Sequence, residues 1–171
     1  MKRILIALAA VICIAGIAVA QDDGAEQVNL SIDRQLGVGI QLDLPFGGLI
    51  STRYWIEPSF ALEGIFFVWG YEGDIEGTIT ARTLYRIADA PVVDFYAVAG
   101  ATLPFSSYGY GLEPILLSVA GGIEFGFRSA PSLAWNIEFG LSVSGTGDVM
   151  MVFGTGIHFY FMEAEPADAD G

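Results

Sequence analysis

Along the last part of the chain, large apolar residues fall at every second position. Val149, Met151, Phe153, Ile157, Phe159 and Phe161 form one series, broken by Thr155, and Gly154, Gly156, His158 and Tyr160 lie between them. A period of two predicts a strand with two unlike faces. The segment before it repeats the pattern more cleanly. Leu133, Trp135, Ile137, Phe139, Leu141 and Val143 face one way, and Ala134, Asn136, Glu138, Gly140, Ser142 and Ser144 the other. Alternation bounded by turn residues predicts eight strands, at about 35–44, 49–57, 60–71, 78–87, 92–103, 115–128, 132–144 and 149–161. The third fits worst, because its nominal inner face carries Glu63 but also Ile65, Phe67 and Trp69. A bulge at Gly64 or a change of register is expected there.

A soluble barrel would bury the large apolar face and cover its outside with Lys and Glu. Here the second face is small or weakly polar, so the large side chains are expected to face lipid. The hydrophobic share of 53% exceeds that of an ordinary soluble domain. After the first twenty residues no stretch is long and apolar enough for a spanning helix. A chain that crosses lipid without helices must close its sheet, since hydrocarbon cannot satisfy an open edge. The expected fold is therefore all-β, an eight-stranded antiparallel up-and-down transmembrane β-barrel.

The N-terminus supplies the export route. Met1-Lys2-Arg3, an apolar run from Ile4 to Ala20 and an Ala18-Val19-Ala20 box before Gln21 have the layout of a cleavable signal peptide. Cys13 does not suit lipid attachment, because Ile12 stands where a small residue is needed. Beyond residue 20 the chain has no cysteine and no lysine, and five arginines stand against twenty acidic residues. Cysteine-based disulfide and metal sites are excluded. Nucleic acid is not expected as a partner, since these arginines cannot assemble a basic surface.

The connections alternate in character. Glu57-Pro58-Ser59, Ala88 to Pro91 and Ser129 to Ser132 contain proline and alternate with Pro45 to Gly48, Glu72 to Gly77, Pro104 to Pro114 and Gly145 to Gly147. With both termini periplasmic, the first set is periplasmic and the second extracellular. Tyr54, Phe60, Tyr85, Phe95, Phe127, Trp135, Phe159 and Phe161 then lie outward near the periplasmic end, as a headgroup-level aromatic girdle. The same parity turns Arg53, Arg82 and Arg86 inward with Asp43, Glu63, Glu124 and Glu138, a set expected to pair because unpaired charge in a narrow interior is costly. Eight strands leave a lumen that side chains can fill.

On Gly37-Val38-Gly39, on Arg53-Tyr54-Trp55-Ile56-Glu57-Pro58 with Phe60-Ala61-Leu62, and on the closing Gly156, Phe159 and Phe161, the chain resembles the small eight-stranded outer-membrane barrels grouped with OmpX, OmpA and OmpW. The resemblance is architectural and spans about 35–161. It implies a Gram-negative, porin-like outer-membrane protein whose Gly156, Phe159 and Phe161 serve as the signal for the barrel-assembly machinery. Relatives commonly stop at the final aromatic, whereas this chain continues through an acidic tail to Gly171. The expected layout is a signal peptide over 1–20, a periplasmic segment over 21–34, the barrel over 35–161 and an acidic periplasmic tail over 162–171.

Some barrels of this kind carry lipid-hydrolysing or acyl-transferring sites built on serine and histidine. His158 is the single histidine, projects inward and has Tyr160, not serine, two positions along. No catalytic role is expected for it; it is read as a lumen residue beside Trp55, Tyr96 and Tyr160, rings able to plug the periplasmic mouth. Glu72, Asp74 and Glu76 could collect a cation but lack the ligand order of an EF-hand. No metal site and no cofactor are expected. The expected partners are outer-membrane lipid and the secretion and assembly machinery, with any surface ligand unidentified. The expected function is a non-enzymatic structural or surface-interaction barrel with a largely filled lumen. A narrow channel for small or apolar solutes and a secreted lipocalin-like ligand binder are the alternatives.

Overall fold

The structure is a computed structural model that describes residues 34–44, 47–71, 73–90, 93–107, 114–127 and 129–162. The leader, residues 21–33, residues 163–171, Glu72 and most of the 104–114 connection lie outside the described residues. Eight strands follow in chain order: β1 (Arg34–Leu44), β2 (Ile50–Glu57), β3 (Phe60–Tyr71), β4 (Asp74–Ala90), β5 (Val93–Ser106), β6 (Leu116–Phe127), β7 (Ala130–Ser144) and β8 (Val149–Met162). Each pairs antiparallel with the next, and β8 pairs with β1, so the sheet closes into an up-and-down barrel with no free edge along its wall. The end where β1 begins and β8 ends is called proximal, the other distal.

The period-two pattern places the side chains. Trp135 and Phe139 point outward at 37% and 44% exposure, while Asn136 and Glu138 between them are 0% and 1% exposed. The outward set continues around the wall through Leu36, Ile40, Leu62, Ile79, Leu117 and Phe153. The inward set is dominated by Gln41, Arg53, Glu63, Arg82, Glu124 and His158, all buried. A soluble ligand-binding barrel of the lipocalin kind requires the opposite polarity, with charge outside and apolar side chains within.

The expected irregularity in β3 is absent. Its ladder with β4 is unbroken from Phe60↔Tyr85 to Tyr71↔Asp74. Ile65 remains inside, and Trp69, 62% exposed, stands at the distal rim. The inner face of β3 turns apolar because it climbs out of the charged layer, not because the strand slips. Register shifts fall instead at Arg34/Leu36, Trp55/Glu57, Arg86/Ala88 and Gly126/Phe127, all toward the proximal end. Rims are where bulges collect, since extra twist there disturbs few ladder bonds.

Three connections are shorter than their turn residues imply. Asp74 to Gly77 belong to β4, Ala88 to Ala90 extend β4, and Ala130 to Ser132 open β7. Asp74 reads as a turn residue in sequence, yet it already pairs with Tyr71 in the β3–β4 ladder, and Gly73 before it has φ +97°.

Glycines make room for the large inward residues. Gly37 lies across the ladder from Tyr160, Gly122 from Tyr96, Gly100 from Arg82 and Gly154 from Glu138. A Cβ on Gly37 would stand 2.7 Å from the Tyr160 ring, and one on Gly122 would collide with Tyr96. Gly64 and Gly121 have nothing within 4 Å of an added Cβ. Gly37→Val or Gly122→Val is therefore expected to cost about 1–3 kcal/mol by overpacking, read from urea unfolding in detergent. Gly64→Ala and Gly121→Ala should stay within about 0.5 kcal/mol of the parent. Equal losses at all four positions would contradict the paired-glycine explanation.

Candidate functional site

The interior is built on one row of the sheet. Arg53 on β2 stands opposite Glu63 on β3, and Glu63 opposite Arg82 on β4. Directly opposed residues of an antiparallel pair share a face and touch, so the alternating signs attract along the row. Arg53 Nη2 lies 3.2 Å from Glu63 Oε2, and Arg82 Nε 2.8 Å from the same oxygen.

The facing wall completes the network. Arg82 holds Glu138 on β7 through two bonds, of 2.6 and 3.0 Å, and Arg53 pairs with Glu124 on β6. The Tyr96 hydroxyl donates to Glu138 at 2.7 Å and the Tyr160 hydroxyl to Glu124 at 3.1 Å. Arg82 also reaches Asp43 at 3.5 Å. Two-pronged guanidinium–carboxylate pairing fixes geometry as well as energy. Removing these ions from water is expensive, and the cost is offset only because each carboxylate has several donors.

A second layer lies proximal to the first. Trp55, Ala61, Leu84, Tyr96, Val98, Ala134 and Tyr160 form one buried cluster. Arg86 closes it from below: its guanidinium sits 4.1 Å over the Trp55 ring, pairs with Asp94 at 3.3 Å and donates to the Pro58 carbonyl in the β2–β3 turn. The structure thus brings Arg53, Arg82, Asp43, Glu63, Glu124 and Glu138 together and sets Arg86 apart. Its partner Asp94 was outside the expected set. The signal was present, since Asp94 shares inward parity with Tyr96 on β5.

His158 belongs to the charged layer. Its Nε2 lies 2.9 Å from Ser51 Oγ and 3.1 Å from Glu63 Oε1, and Ser51 Oγ donates to that same Glu63 oxygen at 2.5 Å. Tyr160 is its ring neighbour, at 6.2 Å. Ser51 is the serine that chain spacing does not reveal, brought in from β2. The three do not form a catalytic relay, which needs the acid on one imidazole nitrogen and the nucleophile on the other. Here both share Nε2, the serine proton is directed at the glutamate, and Ser51 and His158 are 0% exposed.

Outside the wall, Tyr54, Tyr85, Phe127, Trp135, Phe159 and Phe161 are exposed, and Phe60 and Phe95 half-buried. Phe60 pairs across the ladder with Tyr85, Phe125 stacks on Trp135 at 5.4 Å, and Phe159 meets Phe161 edge-on at 5.4 Å. Thr155, the break in the β8 series, accepts a bond from Trp135 Nε1 at 2.9 Å and donates to the Asn136 carbonyl at 2.9 Å. Its hydroxyl is thereby satisfied on an apolar surface. Gly156 sits inside, between Gln41 and Asn136. Among the described residues no group of three His, Cys, Asp or Glu side chains is placed to hold a metal ion.

No family model and no curated protein matches the chain. Among solved structures it is similar to the Yersinia pestis outer membrane protein Ail in a phospholipid bilayer nanodisc, at 18% identity and a TM-score of 0.43, over 75% of this chain and 99% of that one. It is also similar to the crystal structure of Ail in complex with the heparin analogue sucrose octasulfate, at 16% identity and a TM-score of 0.38, over 75% and 98%. The fold of the present chain stands on its own strand register.

Removing one member of the network leaves buried charge without its partner. Arg82→Leu is expected to lower the unfolding free energy by about 3–5 kcal/mol, and Glu138→Leu added to it should recover part of that loss. A double-mutant cycle by urea unfolding checks both; additive losses would show that the pair is not coupled.

Proposed function

We propose that this chain is an outer-membrane barrel of a Gram-negative envelope, with a closed interior and a structural or surface-interaction role, and that it neither catalyses nor conducts. One observation carries the proposal: apolar side chains cover the outside while two packed layers, one ion-paired and one aromatic, fill the inside. At about 3.3 Å per residue and a tilt of about 40°, β8 climbs roughly 30 Å between Val149 and Phe161, enough to cross hydrocarbon.

In this setting the leader over 1–20 is removed after Ala20, and residues 21–33 and 163–171 lie in the periplasm. The assembly machinery reads Gly156, Phe159 and Phe161. Tyr54, Phe60, Tyr85, Phe95, Phe127, Trp135, Phe159 and Phe161 form the periplasmic girdle, where Trp and Tyr match the headgroup boundary. Surface contacts fall to the distal turns. Sulfated polysaccharide does not suit them: past residue 3 the chain has no lysine and five arginines, of which Arg53, Arg82 and Arg86 are buried, Arg34 opens β1 at the proximal end, and Arg128 falls in sequence outside the distal connections. The distal rim carries Asp74, Glu76 and Asp148.

Bilayers containing the refolded chain should show no channels. Arg82→Ala should also stay silent, because the Trp55, Tyr96 and Tyr160 rings stay packed across the lumen with Arg53 and Glu124 still in place. Discrete conductance steps in the parent would overturn the filled interior and favour the solute channel. For the girdle, Trp55→Phe with Trp69→Phe leaves Trp135 as the sole indole. Its fluorescence should be quenched more by lipids brominated near the headgroup than by those brominated near the chain end. The reverse order would place Trp135 at mid-depth.

A further inference from the structure

Among the described residues seven buried side-chain atoms have no hydrogen-bond partner, and three of them fall on two amides of the same row. Gln41 on β1, Gly156 on β8 and Asn136 on β7 stand side by side in a single row. Gln41 and Asn136 are both 0% exposed. Gln41 Nε2 donates to Asp43 Oδ1 at 3.0 Å, which fixes the amide, because its oxygen could not make that bond. Gln41 Oε1 is thereby turned over Gly156, into the position a Cβ would take, and has no protein partner. On the other side of Gly156, neither Oδ1 nor Nδ2 of Asn136 has a protein partner. Two buried amides thus flank Gly156 with nothing from the chain to satisfy these atoms, a rare condition in a native interior.

The charge around them is unbalanced in one direction. Asp43, Glu63 and Glu138 share the guanidiniums of Arg53 and Arg82, and Arg53 also serves Glu124. Asp43 has the longest arginine contact of these carboxylates except for the 3.9 Å approach of Arg53 to Glu138. Negative charge that exceeds its compensation is costly in a low-dielectric interior. We infer that a small alkali cation binds between Gln41 Oε1 and Asn136 Oδ1, next to Glu138, which lies two residues along the same inward face of β7. Hard cations take oxygen donors, and those on offer are neutral amides beside one carboxylate. A divalent ion would need converging carboxylates, and among the described residues no such trio exists.

The test is refolding and melting the chain in detergent in sodium or potassium chloride, and separately in N-methyl-D-glucamine chloride at the same ionic strength. The melting temperature is expected to be higher in the alkali salts by about 3 °C or more, as for any ligand that binds the folded state. Asn136→Leu and Gln41→Leu should each abolish the difference. Equal melting temperatures in all salts would overturn the site and leave water or protons as the interior's compensation. So would an alkali preference that survives both substitutions. If the variants fail to refold, crystals of the parent grown in rubidium chloride decide: an anomalous peak between Gln41 and Asn136 is expected, and its absence overturns the inference. The conductance prediction is unaffected, since a silent barrel without ion preference would lose this site and keep its closed interior.

Discussion

The row Arg53, Glu63, Arg82 is the contact on which the rest of this barrel depends. Eight strands closed on themselves leave an interior only as wide as the side chains that fill it. Charges placed there cannot reach bulk water, so they must find one another. Opposed directly across β2, β3 and β4, they do so along the ladder, and Glu124 and Glu138 reach over from the far wall to complete the set. The network ties together strands that are not neighbours, which backbone ladders alone cannot do.

The same row sets the register. A one-residue slip of β3 would turn Glu63 outward onto the apolar surface and bring Gly64 inside, separating both arginines from their shared carboxylate. The cost would fall at once on Arg53, Arg82 and the His158–Ser51 pair that also relies on Glu63. Glycine follows from the same geometry. Beside four of the large inward residues, Arg82, Tyr160, Tyr96 and Glu138, a neighbouring strand carries a glycine, at Gly100, Gly37, Gly122 and Gly154. Polar groups on the outer surface are handled locally, as Thr155 is by the Trp135 indole and the Asn136 carbonyl.

Much of this was legible in the chain. β7 and β8 alternate so regularly that their faces follow from period alone, and closure follows from apolar strands that have to hide their edges. The lengths of β4 and β5 were not legible, because Asp74, Glu76 and Pro104 carry turn chemistry yet lie in strands that extend distally. The four proximal bulges arise from rim twist, which no local residue pattern announces. In β3, Ile65 and Phe67 suggested a slip because the period reports a face and not a height; the row at Glu63 is charged, and the next row up sets Ile65 between the neutral Ser51 and Thr80. Ser51–His158 joins β2 to β8, far apart in sequence, and Arg86–Asp94 runs diagonally across the β4–β5 ladder, so inward parity could nominate each residue without naming its partner.

The inverted polarity of the wall is tested most directly by a nitroxide scan of β7 from Leu133 to Ser144 in lipid bilayers. Collision with oxygen, which concentrates in hydrocarbon, is compared at each site with collision by a water-soluble nickel chelate. Oxygen accessibility should peak at Leu133, Trp135, Ile137, Phe139, Leu141 and Val143, with Ala134, Asn136, Glu138 and Ser142 shielded from both reagents. Nickel accessibility at Trp135 and Phe139 with oxygen excluded, or a profile without period two, would contradict a lipid-facing apolar wall around a closed charged interior.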